Sequence, residues 1–220
     1  MATTRIKAFP ALGEEEFEGV WRAFWGRWVR WGGRMGDGGL EVRVEKKCGR
    51  EHLSIIRSLS PGIRQSGDGE QQDWDQDEIP EDRDEEALLR APPGGESGAY
   101  VQYDVLLSPT YHVPVLWFSI HGLSGTQCKG LEWVYENLVT PGMLDEVKGV
   151  GVLGGVGLGN HPLTDIPAYF VHPCNTADAM RDVCATGEVG VERYLAIWLG
   201  LVGGCVGVWV PRGVMEEGGE

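Results

Sequence analysis

The sequence predicts an α+β domain in which an antiparallel β-sheet is flanked by helices. Three observations lead there. Helical and strand patterns are segregated along the chain, in the order helix, strands, short helix, loop, strand, helix, helix, strand, and segregation favours an antiparallel sheet over alternating βα units. The strand candidates include both alternating and continuous apolar runs, as a sheet with a central strand requires. The 220 residues suffice for one domain with a real core, so 1–220 is read as a single domain.

Glu14 to Trp31 reads as an amphipathic helix. Phe17, Val20, Trp21, Phe24, Trp25 and Trp28 fall on one face. Glu14, Glu15 and Glu16 occupy the first turn, where negative charge is favoured. The aromatic stripe is read as core, with a partner-binding face as the alternative. Gly32 to Gly39 is a glycine-rich turn. Leu40 to Glu45 alternates apolar and charged residues, as a half-buried strand does. Leu53 to Leu59 is a second strand candidate. Ser66 to Gly98 then carries about a dozen acids against two arginines, with glycine and proline between them. That composition predicts a disordered acidic insertion over 66–98, an interaction segment being the alternative.

Ala99 to Ser108 and Tyr111 to His121 read as two strands joined at Ser108-Pro109-Thr110. The run Val113 to Phe118 is nearly all apolar, so its strand is central or buried on both faces, with Pro114 at its start or at a bulge. Leu131 to Val139 is a short helix stopped by Pro141 and Gly142. Gly149, Gly151 and Gly154 match a lone G-x-G-x-x-G. No helix opens after it, so Gly149 to Gly159 is read as a flexible loop and not as a nucleotide cradle. Tyr194 to Val210 holds no charged residue and approaches the lower limit of about 17 residues for a spanning helix. Gly200, Gly203, Gly204 and Gly207 interrupt it, and Cys205 to Val210 favours strand. A buried helix followed by a buried strand is expected, with a flexible tail over 212–220.

The formal net charge of -14 argues against a nucleic-acid partner, since phosphate binding needs a basic patch. Five cysteines without regular spacing, and no apolar signal core after Met1, argue against a disulfide scaffold. A reducing compartment follows, cytosol or nucleus, with a cytoplasmic location expected.

The chemistry concentrates in Phe170 to Met180. The stretch reads as a strand end, the turn His172-Pro173, Cys174, and the start of a helix. Asn175 is a good N-cap, and Asp178 can answer it in a capping box. Ala177, Met180, Val183 and Cys184 continue at helical spacing, and Gly187 is a plausible stop. Cys174 would then face a helix N-terminus, where free N–H groups and the helix dipole favour a negatively charged sulfur. The alternative is a small buried hydrophobe, which is the reading taken for Cys48, Cys128, Cys184 and Cys205.

Three blocks together resemble the autophagy E2-like conjugating enzymes. They are His161-Pro162-Leu163-Thr164-Asp165-Ile166-Pro167 leading to His172-Pro173-Cys174-Asn175-Thr176; Tyr103 to Ser108 with Tyr111 to Phe118; and Tyr194, Trp198 to Gly203, and Val206 to Pro211. The likeness is nearer to the autophagy-related protein ten family than to its sister, autophagy-related protein three, and covers Ala99 to Pro211. It implies an E2-like, UBC-related fold and no cofactor. It implies that Cys174 accepts the ubiquitin-like autophagy protein twelve from an activating enzyme, autophagy protein seven, as a thioester. A lysine of the acceptor, autophagy protein five, would then attack. His172, Tyr103 and Tyr111 are the candidate supporting residues, to serve as a base or to orient the thioester carbonyl. Ordinary ubiquitin-conjugating enzymes place Asn after the upstream His-Pro, where this chain has Leu163. The oxyanion donor therefore stays open among Asn160, Asn175, His172, Tyr103 and Tyr111. A structural role is the alternative for both tyrosines, and His161 is expected to fix a turn.

Other readings remain. An enzyme lipidating the modifier eight would share the His-Pro-Cys. A cysteine hydrolase would need His172 to face Cys174 as a base. A zinc site would draw on His161, His172, Cys174 and Cys184 without the usual ligand spacing. A binding module would use the aromatic helix and acidic stretch. For acceptor docking, the exposed sheet edge at Leu40 to Val44, or the Tyr103 strand, is the candidate.

Overall fold

A computed structural model describes residues 5–32, 39–59, 98–123, 130–139, 155–184 and 189–215. The acidic stretch lies outside them but for Gly98, as do Cys128, Pro141, Gly142 and Gly187. Helix α1 runs Glu14–Trp31, the bounds the periodicity predicts. It starts at Gly13, whose N–H donates to Glu16 at 3.1 Å, and ends at Gly32 with a left-handed φ of 110°. Its apolar face is buried, with Val20, Trp21, Phe24 and Trp28 all but inaccessible. Each such burial contributes about 1.5–3 kcal/mol.

Strands β1 Leu40–Lys47, β2 Arg50–Ser58, β3 Tyr100–Leu107 and β4 Pro114–His121 follow. After α2 Leu131–Asn137 come β5 Val156–Asn160 and β6 Pro167–Val171. They form one six-stranded sheet in the order β1-β2-β3-β4-β6-β5, with every paired neighbour antiparallel. The α+β class is borne out. Pro114 opens the interior strand β4, where its missing N–H interrupts no mid-strand ladder. The edges are β1 and β5. Strand β3 is paired on both sides, so the Tyr103 strand offers no free edge for docking, whereas Leu40 to Val44 lies on an edge strand among the described residues.

One sheet face carries the core. Tyr103, Phe118 and Tyr169 stack in a row across β3, β4 and β6, with centroids 5.7 and 5.3 Å apart. Helix α3 Thr176–Val183 leads to α4 Val191–Val202. Helix α4 packs on α1 and buries Tyr194, Leu195, Trp198, Leu199 and Val202. No helix among the described residues is long and apolar enough to cross a membrane.

Three expectations are corrected. Val156–Asn160 is a strand and not part of a loop. Glycine is a weak strand former, but pairing with β6 decides the matter. A Cβ on Gly157 would come 2.9 Å from the Phe170 ring, so the bare backbone lets that ring lie across the strand. Cys205 to Val210 is not a strand. Gly203–Val206 forms a 3-10 turn, and Gly207 reverses the chain at φ 76°. A Cβ on Gly203 would sit 2.7 Å from the Val208 carbonyl. Arg57 donates to the Val206 and Gly207 carbonyls at 3.1 and 2.9 Å. This close turn buries Val206 and Val208 without sheet pairing, overriding their strand propensity. Beyond it, Arg212–Met215 forms a short helix α5 with Val214 buried, so the stretch expected as a tail begins with packed structure.

The buried tyrosines set an alkaline limit. Burial pushes the Tyr103 and Tyr194 hydroxyls above their ordinary range. A phenol raised on folding favours the fold in its neutral form. Stability is therefore full below about pH 10, the unfolded value, and is lost as pH rises through the folded one. Urea titrations at pH 8 and pH 11 should show that loss, and a smaller one in Tyr103→Phe.

Candidate functional site around Cys174

Strand β6 ends at Val171, and His172 stays extended at φ -66° and ψ 125°, as the residue before a proline tends to. Pro173-Cys174-Asn175 forms one 3-10 turn that runs straight into α3, with Pro173 at the first helical position, where its missing N–H costs nothing. The helical stretch therefore begins earlier than Asn175. Asn175 has helical backbone and makes no side-chain cap hydrogen bond. Asp178 pairs with Arg181 at 2.5 Å instead of closing a capping box. The cap is His172, whose Nδ1 accepts the Cys174 N–H at 3.2 Å. The His172 N–H in turn donates to the Gly155 carbonyl at 2.9 Å, tying the approach to the cysteine to the start of β5. The Cys174 side chain itself is exposed.

Tyr111 lies in the turn between β3 and β4. Its ring meets the His172 imidazole edge-on, centroids 5.8 Å apart, while Phe170 lies 6.0 Å from the same imidazole. Cys174, His172 and Tyr111 thus come together. Tyr103 is a correction: it is wholly buried and its hydroxyl donates to the Val206 carbonyl at 2.8 Å, which makes it a core residue. Asn160 donates to Asp165 at 3.0 Å and is exposed at the far end of β5. His161 does fix a turn, its Nδ1 accepting the Leu163 N–H at 3.3 Å.

His161 also joins a cluster that sequence reading misses. Asp104, 5% exposed, stands 3.3 Å from His161 Nε2, 3.3 Å from His52 Nε2 and 2.7 Å from Lys47 Nζ. Burial alone would raise the Asp104 carboxyl, but His161, His52 and Lys47 outweigh it and hold it well below the usual carboxylate range. The available signal is an acid in the middle of the apolar strand Val101 to Leu107. Glu45, His52 and Asp104 have metal-ligand types within reach of one another. However, the Lys47 ammonium lies 3.5 Å from Glu45 and 2.7 Å from Asp104 and already supplies the cation. The zinc set of His161, His172, Cys174 and Cys184 is not among the metal-ligand groupings of the described residues.

Of the other cysteines, Cys205 is fully buried and Cys184 packs against the core, where burial pushes its thiol up. Cys48 differs from expectation. It is exposed in the β1–β2 turn at φ 49°, its thiol donating to the Leu163 carbonyl at 2.8 Å.

An exposed thiol in a tight turn at a helix start, its backbone N–H held by an imidazole that in turn meets a tyrosine ring, suits attack on a carbonyl carried by a large partner. A family model described as autophagocytosis associated protein, active-site domain, matches residues 23–213. The chain belongs to that family. Among its curated relatives, the protein called ubiquitin-like-conjugating enzyme ATG10 in Gibberella zeae is 41% identical over 133 residues, 60% of this chain and 54% of the relative. The proteins of that name in Homo sapiens and Dictyostelium discoideum are 28% and 26% identical over 50% and 53% of this chain. The chain spans about half the length of these relatives, at 50% to 54%. A solved structure entitled "Solution structures of KmAtg10" aligns with 87% of this chain and 91% of its own, at 13% identity and a TM-score of 0.34. The resemblance drawn from the three sequence blocks is borne out by the family and the relatives.

Proposed function

We propose that this chain is an E2-like conjugating enzyme of autophagy, a ubiquitin-like protein transferase with a cysteine thioester intermediate. The observation that carries the reading is the exposed Cys174 at the head of α3, its backbone N–H held by His172. In this reading the Cys174 sulfur attacks the activated C-terminal glycine carbonyl of autophagy protein twelve, displacing the thiol of the activating enzyme, autophagy protein seven. A lysine amine of autophagy protein five then attacks the thioester. The C–S bond breaks, an isopeptide bond forms, and the sulfur leaves as thiolate. A hydrolase fits less well, because the His172 Nδ1 already accepts the cysteine's own backbone N–H.

A charging assay tests this. Incubation with the activating enzyme, ATP and modifier twelve should give an adduct on a non-reducing gel that thiol reagents release. An adduct with modifier eight alone would move the chain to the lipidating branch. No adduct with either would overturn the reading.

A further inference from the structure

We propose that Ser108 is a positioning residue for Cys174, acting through Tyr111 and His172; this rests on the conjugating-enzyme reading above. Tyr111 is 42% exposed, so little packing fixes its ring. Its place is set by its backbone, and that backbone is organised by Ser108. The Ser108 hydroxyl, in a residue 8% exposed, accepts the Tyr111 N–H at 3.1 Å. The Ser108 carbonyl accepts the His112 N–H at 3.0 Å, and its N–H donates to Val113 at 2.9 Å. A serine side chain closing such a turn substitutes for a backbone partner.

The turn needs that support. His112 sits at φ 53°, a left-handed conformation unfavourable for a residue with a Cβ. Its carbonyl is held from outside by the Leu12 N–H at 2.7 Å. Leu12 is buried, and the strap before it is pinned where the Tyr194 hydroxyl donates to the Pro10 carbonyl at 2.6 Å. Of the hydrogen bonds made within the turn itself, the one to the Ser108 hydroxyl is the one that a single side-chain change removes. From it the contacts run without a gap: Ser108 to Tyr111, Tyr111 to His172, and His172 Nδ1 to the Cys174 N–H. Loss of the hydroxyl frees Tyr111 to leave the imidazole. Transfer, which depends on holding the reacting atoms in line, is the step that suffers.

The experiment compares full-length wild type, Ser108→Ala and Ser108→Thr. One readout is single-turnover discharge of the preformed thioester over a range of acceptor concentrations. The second is the NMR shift of the His172 ring protons, which sense the Tyr111 ring current and require no reaction. Ser108→Ala should charge to the wild-type extent. It should discharge about tenfold more slowly at saturating acceptor with KM unchanged, and its His172 signal should move as it does in Tyr111→Leu. Ser108→Thr, which keeps the hydroxyl, should restore both. Wild-type discharge and an unmoved His172 signal in Ser108→Ala would overturn the proposal whatever the melting temperature. So would a Ser108→Thr variant that folds yet behaves like Ala. If wild type itself were not charged, the conjugating-enzyme reading would fail, and the His172 shift would still decide whether Ser108 sets the contact.

Discussion

Cys174→Ser is expected to trap the modifier as an ester. The serine oxygen stands in the same turn with the same N–H held by His172, so the modifier is still delivered to that position. An oxygen ester resists aminolysis far better than a thioester. The adduct should survive thiol reagents, be cleaved by mild alkali, and pass to the acceptor at least about a thousandfold more slowly, a rise in barrier of about 4 kcal/mol. Cys174→Ala should give no adduct at all. Cys174 is exposed and, among the described residues, is not part of the core cluster, so both variants should melt within about 2 °C of wild type, a change of at most about 1 kcal/mol. A thiol-sensitive adduct persisting in Cys174→Ala would place the nucleophile elsewhere, with the exposed Cys48 the next residue to change.

Asp104→Leu is expected to cost about 3 kcal/mol, in the range measured for removing one partner of a buried ion pair. The substitution leaves the Lys47 ammonium, whose side chain is 27% exposed, and two buried imidazoles without their shared anion. Equilibrium urea unfolding measures it. Adding Lys47→Met should recover part of the loss, because it removes an ammonium left, among the described residues, with Glu45 alone, at 3.5 Å. The pH dependence has a definite sign. A carboxyl lowered by folding stabilises in full above its unfolded value of about 3.9 and loses that contribution progressively as pH falls from there through its lowered folded value. Wild type should therefore lose stability on acidification below about pH 4 more steeply than Asp104→Leu does. A variant within about 0.5 kcal/mol of wild type at pH 7 would show that the cluster adds no net stability.

The features legible in the sequence are those set by short-range pattern. The stripe from Phe17 to Trp28 and the apolar turns of α4 need only helical spacing to be seen. The Cys174 turn depends on adjacent residues, so the strand end, the proline and the presence of a helix after the cysteine are readable, while the cap itself is His172 and not Asn175. What escaped depends on partners distant in the chain. Strand β5 is a strand because β6 pairs with it and Phe170 covers its glycines. Val206 and Val208 are buried by a glycine turn that Arg57 holds, which no propensity scale contains. Tyr103 and Tyr111 look alike in sequence, yet one is locked in the core by Val206 and the other stands at the surface beside His172. The Asp104 cluster draws Lys47, His52 and His161 from three other segments.

The His172 cap carries a consequence for proton traffic. An uncharged imidazole that accepts at Nδ1 carries its hydrogen at Nε2. At Nε2 the ring then offers a donor, and it could take up a proton only at Nδ1, which gives up the cap. A donor in that place can steady negative charge growing on a thioester oxygen, but it does not relieve an incoming ammonium of its proton. On the proposed reading, the acceptor lysine therefore arrives already neutral or loses its proton to a group other than this imidazole. The pH profile of transfer should accordingly follow the acceptor amine, rising toward alkaline pH, and not the titration of this imidazole.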